Sequence, residues 1–80
     1  MKLEMPKSFS KLEGKTIANV RWLGDADMKQ LMWYKRPVQI TFTDGSFIIP
    51  QMDDEGNDGG ALYFQDEKDW TLLFTEQYHG

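Results

Sequence analysis

The local pattern that most restricts the fold of this chain is a β-hairpin centred on Asp44-Gly45. Alternating apolar and polar residues over 38–50 flank this dipeptide, which accepts the positive φ angles of a type I′ turn. A two-residue loop pairs Phe42 with Phe47 and ends the ladder at Pro50, which has no N–H to donate. In this register one face collects Val38, Ile40, Phe42, Phe47 and Ile49, with Ile40 opposite Ile49 and Ile48 as the apolar exception on the other face.

Three further strands are predicted around this hairpin. Residues 15–23 alternate in a way that favours a strand with one buried face, and residues 61–65 and 70–75 form a second hairpin through the link 66–69. The side chains expected to point inward are Ala18, Val20 and Trp22 in the first strand and Trp70, Leu72 and Phe74 in the last. Five strands in total are therefore expected.

One short helix is predicted between the first strand and the central hairpin. Met28, Leu31 and Met32 have the spacing of an apolar stripe on a helix. Asp27 and Gln30 have the spacing of a capping box, and Pro37 is expected to end the helix. A helix of two or three turns is too short to be stable alone, so its apolar stripe is expected to pack on the sheet.

At 80 residues the chain is long enough for one small domain. The predicted class is α+β and β-rich, with about five antiparallel strands and one short helix after the first strand. The leading architecture is an SH3-like, partly open barrel, and a twisted sheet covered by the helix is the alternative. Residues 1–13 are expected to form a flexible N-terminal arm, residues 14–76 the domain, and residues 77–80 a frayed tail.

Charge is distributed unevenly along the chain. Residues 1–36 carry eight basic and four acidic side chains, whereas residues 37–80 carry one basic and nine acidic side chains, for a net charge of −4. The net charge disfavours nucleic-acid binding, for which Arg21-Trp22 and residues 33–36 are the only candidates. The acidic half could meet a basic protein partner, the basic half of a second copy, or the basic half of the same molecule. No apolar stretch has the length of a membrane span, so a cytoplasmic protein without membrane contact is expected.

Several catalytic chemistries lack their residues in this sequence. There is no Cys, and the single His, His79, lies near the end of the predicted tail. No Gly-x-Ser-x-Gly elbow, phosphate-binding Gly-rich loop or His-Glu-x-x-His pair occurs. We therefore expect no enzyme, no catalytic residue and no cofactor.

The acidic loop 51–60 is the stretch richest in potential oxygen ligands. Its candidates for a divalent cation such as Ca²⁺ are Asp53, Asp54, Glu55, Asn57 and Asp58. Both EF-hand registers fail, because a start at Asp53 places Phe64 at the bidentate position and a start at Asp54 places Gln65 there. The loop is expected to be solvated and unable to order itself.

Protein binding is the function that the sequence favours, with the loop acids and exposed aromatic residues as the contact surface. The residues expected to bind a partner are Asp53, Asp54, Asp58, Tyr34 and Tyr63. Two alternatives are a domain stabilised by a divalent cation and an acidic inhibitor that mimics nucleic acid. The expected partner is a protein with a basic or apolar surface, and a homo-oligomer is the alternative.

Several motifs together resemble a group of small uncharacterised bacterial and phage domains. The opening Gly14-Lys15-Thr16-Ile17, the turn 43–46 and the loop 53–57, followed by Gly60-Ala61-Leu62, stand in matching places. The resemblance implies a family of unknown function and supplies no catalytic or binding residue. The chain has Asp58-Gly59 where those domains have Gly-Pro, a departure expected to loosen the loop.

Overall fold

A computed structural model describes residues 4–80 of the chain. The elements follow in the order 3₁₀-helix (Lys7–Leu12), β1 (Ile17–Trp22), α1 (Asp25–Leu31), β2 (Lys35–Arg36), β3 (Val38–Phe42), β4 (Phe47–Ile48), β5 (Leu62–Gln65), β6 (Trp70–Leu73) and β7 (Glu76–Gln77). The strands form three antiparallel sheets with the orders β1-β3-β4, β2-β7 and β5-β6. No sheet in residues 4–80 closes into a barrel. The β-rich class and the short helix after the first strand are confirmed.

The β3–β4 hairpin has a three-residue loop, 43–45, instead of the predicted two-residue loop. The N–H of Phe42 donates to the C=O of Ser46 at 2.8 Å, and the N–H of Gly45 donates back to Phe42 at 3.1 Å. Gly45 has a φ of 89°, the left-handed conformation that this loop requires. The carboxylate of Asp44 accepts the N–H of Ser46 at 2.9 Å, which further fixes the turn.

The longer loop changes the register of β4 by one residue. Ile40 pairs with Ile48, so the predicted pairs of Ile40 with Ile49 and of Phe42 with Phe47 are wrong. A shift of one residue moves every side chain of a strand to the opposite face. Ile48 therefore joins the core, whereas Phe47 is largely exposed.

The core consists of two small clusters. The first contains Leu23, Met28 and Trp33, with Ile49 and Tyr78 packed against it, and the second contains Val38, Ile40 and Phe42, with Ile48, Leu62 and Leu73 packed against it. Adjacent residues of an extended chain point to opposite faces. Ile48 and Ile49 therefore place one side chain in each cluster.

Helix α1 differs from its prediction at both ends. It begins at Asp25 after the N-cap Gly24, which makes no side-chain capping bond, so the predicted Asp27–Gln30 capping box is wrong. It ends before Met32, whose φ is 59°, well before Pro37. Met28 is its buried residue, whereas Leu31 and Met32 of the predicted apolar stripe are 42% and 79% exposed. No helix in residues 4–80 has the length and apolar character needed to span a membrane.

The predicted frayed tail is instead paired with the body at its first residues. Gln77 of β7 lies opposite Lys35 of β2, and the N–H of Tyr78 donates to the C=O of Tyr34 at 2.7 Å. The Tyr78 ring packs against the first cluster and lies beneath the Arg36 guanidinium, 4.9 Å from the ring centroid. At the other end, the predicted arm forms the exposed 3₁₀-helix, while residues 1–3 of that arm lie outside the described residues.

Strand β6 follows the predicted alternation, and β1 follows it from Asn19 onward, after an irregularity at Ala18, but their predicted inward faces are not buried. Trp70, Leu72 and Phe74 are 58%, 49% and 60% exposed, and the residue facing the core is Leu73, together with Leu62 of β5. In β1, Val20 and Trp22 lie opposite Ile40 and Val38, but about half of each side chain is exposed. Ala18 is exposed as well. The burial prediction for these six residues is wrong, because the β5–β6 hairpin covers only part of the three-stranded sheet.

Candidate functional site

Asp58 anchors the acidic loop to the body of the protein. Its Oδ1 atom accepts the backbone N–H groups of Tyr34 at 3.0 Å, Lys35 at 2.8 Å and Gly59 at 2.8 Å. Partial burial raises the pKa of Asp58, but hydrogen bonds from these amides outweigh it and leave the pKa below its usual value. The structure thus uses one oxygen of this predicted partner-binding residue to hold the loop against the start of β2.

Asp53 organises the tip of the loop. Its carboxylate accepts the N–H of Glu55 at 3.0 Å and the side-chain amide of Asn57 at 2.8 Å, and the Asn57 bond is the main cause of its lowered pKa. Asp54 and Glu55 are exposed. In residues 4–80 no three acidic, His or Cys side chains converge as metal ligands would. The five predicted cation ligands are therefore not gathered around a common point.

The loop is also held by main-chain bonds and by a buried tryptophan. The Nε1–H of Trp33 donates to the C=O of Gly56 at 2.8 Å, and Trp33 is only 2% exposed. The N–H of Met52 donates to the C=O of Asp58, and the N–H of Gly60 donates to Pro50, each at 3.0 Å. The loop was expected to be solvated and without order. The structure instead holds it in place through its contacts with Trp33 and β2. Asp58-Gly59, expected to loosen the loop, is one of its attachment points.

We predict that Asp58→Asn lowers the free energy of unfolding by about 1–2 kcal/mol at neutral pH, comparable to the loss of a helix cap. Because the folded-state pKa of Asp58 is lowered, its contribution is present above the unfolded pKa of about 4 and is lost as the pH falls through the folded value. The difference between wild type and variant should therefore shrink below about pH 4. Urea titrations of both proteins at several pH values measure this difference in the free energy of unfolding.

The matched control is Asp54→Asn, which removes an exposed acid from the same loop. Its unfolding free energy should stay within about 0.5 kcal/mol of the wild type. Equal effects of the two variants at neutral pH would contradict the anchoring role of Asp58.

Exposed apolar side chains gather where β1 and the β5–β6 hairpin meet. We call this region the β1–β6 surface; it comprises Val20, Trp22, Tyr63, Trp70, Leu72 and Phe74. The rings of Trp22 and Phe74 meet edge to face with centroids 6.1 Å apart, and those of Tyr63 and Trp70 stack at 6.0 Å. Between β1 and β6 lies a cavity of about 360 Å³, lined by residues of both strands and by Val38 of the core. The surface is continuous, because Leu72 lines the cavity and lies opposite Tyr63.

Both strands beside the cavity have a free edge within residues 4–80, since β1 pairs only with β3 and β6 only with β5. The N–H of Leu23 donates to the C=O of Pro37, and the N–H of Asp66 donates to the C=O of Asp69, each at 3.0 Å. Hydrogen-bonded pairs alternate along an antiparallel ladder. By this alternation, the pairs Trp22–Val38 and Leu72–Tyr63 are not hydrogen-bonded. The N–H and C=O groups of Trp22 therefore point away from β3, and those of Leu72 point away from β5. The edge of β6 therefore offers main-chain donors and acceptors to a further strand.

Acidic residues border the β1–β6 surface. Asp66, Glu67 and Asp69 lie at the β5–β6 turn, with Lys68 as the basic residue among them. Glu76 lies in β7 opposite Arg36, and Arg21 lines the cavity. The backbone N–H groups of Lys68 and Asp69 bond the Asp66 carboxylate and lower its pKa. The two ion pairs found in the described chain, Lys15–Asp44 and Arg36–Asp25, involve none of these acids. The negative charge at this border is not neutralised by them.

The structure separates the predicted partner-binding residues into two places. Tyr34 lies beside the acidic loop, where its N–H donates to Asp58 and its side chain is exposed. Tyr63 lies on the β1–β6 surface. Sequence reasoning missed the other members of that surface because it assigned them to the core. The signal was present in 70–74, where apolar residues occupy both faces of one strand although a small domain can bury only one.

No protein-family model matches the chain, and no curated protein or solved structure matches it either. The resemblance to small bacterial and phage domains stays a prediction. The β1–β6 surface and the acidic loop are the features of the chain from which a function can be inferred.

Proposed function

We propose that this protein is a non-catalytic protein-binding module that contacts its partner through the β1–β6 surface. The observation that carries the proposal is the cavity lined by the exposed side chains of Val20, Trp22, Leu72 and Phe74, with the stacked rings of Tyr63 and Trp70 beside it. Contiguous exposed apolar surface marks interaction sites, and aromatic residues are enriched at the centres of interfaces. Tyr63 is the residue of this surface that the sequence analysis also named as partner-binding.

The acidic border supports a basic partner. Asp66, Glu67 and Asp69 lie at the β5–β6 turn, at one end of the surface, where they can act as part of a polar rim. Complementary charge speeds association and disfavours acidic competitors. Asp53, Asp54 and Asp58, with Tyr34, form a second acidic area that adds to the negative potential of the molecule.

A finer description of the fold belongs to the same proposal. We propose a partly open, SH3-like arrangement in which the opening lies between the free edges of β1 and β6. Its support is that one cavity is lined by the first long strand and by β6. The cytoplasmic location and the relationship to bacterial and phage domains are part of this proposal.

Selection of random displayed peptides on the immobilised protein tests the function. We expect enriched peptides whose affinity falls about tenfold or more in Phe74→Ser, because the change removes an apolar contact from the surface. The matched control is Phe9→Ser, since Phe9 is 55% exposed and Phe74 is 60% exposed, but Phe9 lies in the 3₁₀-helix. Peptides that bind both variants equally, or a selection without enrichment, would overturn the proposal.

A further inference from the structure

We propose that the partner of the β1–β6 surface is a second copy of this chain, related to the first by a two-fold axis. In this dimer the stacked rings of Tyr63 and Trp70 of each copy enter the cavity of the other copy. The inference rests on the proposed function and names the partner that the same surface binds.

The β1–β6 surface carries a projection and a cavity side by side. The projection is the ring pair of Tyr63 and Trp70, which are 61% and 58% exposed and do not line the cavity. The cavity lies toward the other end of β6, where the rings of Trp22 and Phe74 meet edge to face. A two-fold axis between these features places the projection of each copy against the cavity of the other. The surface can therefore be complementary to itself.

The cavity has the size and the lining to accept aromatic side chains. A cavity of about 150 Å³ in a protein core can hold a benzene molecule, and the cavity between β1 and β6 has a volume of about 360 Å³. Apart from Arg21, its lining is apolar and includes Val20, Trp22, Leu72 and Phe74. It therefore has room for more than one aromatic ring, and the rings would contact mainly apolar side chains.

The exposed apolar area of the surface is sufficient for a weak dimer. Its four aromatic side chains are between 44% and 61% exposed. With roughly 200 Å² for each aromatic side chain, they leave about 400 Å² of each copy in solvent. Two copies, with Val20 and Leu72 included, would bury about 1,000 Å² in total, which is the lower limit of a specific interface. We therefore expect a dimer of micromolar affinity.

The charges of the surface match the same arrangement. Three acids, Asp66, Glu67 and Asp69, lie in the β5–β6 turn just before Trp70 of the projection. Arg21 lines the cavity and takes part in neither of the two ion pairs found in residues 4–80. A projection seated in the cavity brings the acidic turn of one copy toward Arg21 of the other, while the two acidic turns lie at opposite ends of the dimer. Opposite charges across an interface speed association and fix its orientation.

Sedimentation velocity of the full-length protein over a concentration series measures the dimer. We expect a monomer at low micromolar concentration and a dimer near millimolar concentration. Trp70→Ala shortens the projection, and Leu72→Lys places a charge in the cavity wall. Each should weaken the dimer about tenfold or more, because each change occurs twice in a two-fold dimer. Tyr34→Ala and Phe9→Lys are the matched controls and should dimerise as the wild type does, because both residues are exposed and lie outside the surface.

A mixture of the two surface variants tests the exchange of projection and cavity directly. Trp70→Ala keeps an intact cavity, and Leu72→Lys keeps an intact projection. The mixed dimer therefore contains one complete contact, whereas each variant paired with itself contains none. We expect the mixture to associate about tenfold or more tightly than either variant alone. Circular dichroism verifies that each variant is folded, and Phe74→Ser serves as a second cavity variant.

Three results would overturn this inference: a protein that stays monomeric, a protein that grows beyond a dimer, and a mixture that associates no more tightly than its components. A dimer that the surface variants leave unchanged uses another surface and contradicts it as well. The proposed function is judged separately by the displayed peptides. Phe74-dependent peptides bound by a monomeric protein support the proposed function and contradict the dimer, whereas a monomeric protein that selects no such peptide overturns both.

Discussion

Replacing Gly59 by alanine is expected to lower the free energy of unfolding by about 3 kcal/mol or more, a large share of the stability of a domain this small. A Cβ atom at this position would lie 2.1 Å from the carbonyl oxygen of Lys35 and 2.8 Å from the Cδ atom of Pro37. Neither neighbour can move freely, because Lys35 is paired with β7 and Pro37 is fully buried. The loop must therefore separate from β2, and the three hydrogen bonds to Asp58 are strained with it.

Gly24→Ala is the control for Gly59→Ala. No atom lies within 4 Å of a Cβ built on Gly24, and its φ of −73° suits any residue. Its unfolding free energy should stay within about 0.5 kcal/mol of the wild type. Thermal and urea unfolding followed by circular dichroism measure both variants. Wild-type stability of Gly59→Ala would show that the loop does not pack on β2 as described.

Trp33→Ala is expected to cost about 3–5 kcal/mol, enough to unfold much of the protein at room temperature. Trp33 is buried in the first cluster, and its indole N–H is bonded to Gly56 of the loop. The substitution removes a large apolar volume from the cluster and the attachment of the loop together. Trp33→Phe separates the two effects, because it keeps an aromatic ring but loses the hydrogen bond, and it should cost about 1–2 kcal/mol.

Trp70→Ala provides a control of the same residue type on the β1–β6 surface. Trp70 is more than half exposed and stacks on Tyr63, so its loss should cost about 1 kcal/mol or less. Denaturant titrations of the three tryptophan variants give the comparison. Equal destabilisation by Trp33→Ala and Trp70→Ala would contradict the assignment of Trp33 to the core and of Trp70 to the exposed β1–β6 surface.

The position of the central hairpin could be predicted from the sequence, but its register could not. Asp44-Gly45 fits both a two-residue and a three-residue loop, because Gly45 has a positive φ in each. The apolar pattern does not distinguish the two registers either, because the three consecutive apolar residues 47–49 place an apolar side chain on the inward face in both. The choice depends on tertiary packing, in which Ile48 meets one cluster and Ile49 meets the other.

The β1–β6 surface could not be predicted from the sequence for a related reason. The alternation of β6 was predicted, but alternation alone does not say which face is covered. The larger side chains, Trp70 and Phe74, were expected inside, although Leu73 is the residue that meets Leu62 and the second cluster. Similarly, the order of the acidic loop depends on Trp33 and on β2, which are distant in sequence.

The two consecutive isoleucines, Ile48 and Ile49, couple the two core clusters to each other. Ile48 belongs to the cluster that includes Val38, which lines the cavity, and Ile49 belongs to the cluster that includes Trp33 and contacts Tyr78. A movement of this one peptide unit displaces side chains on both faces of the sheet at once. We therefore expect the chain to unfold as a single cooperative unit, and a partner bound at the β1–β6 surface to slow amide exchange in the acidic loop as well as at the cavity.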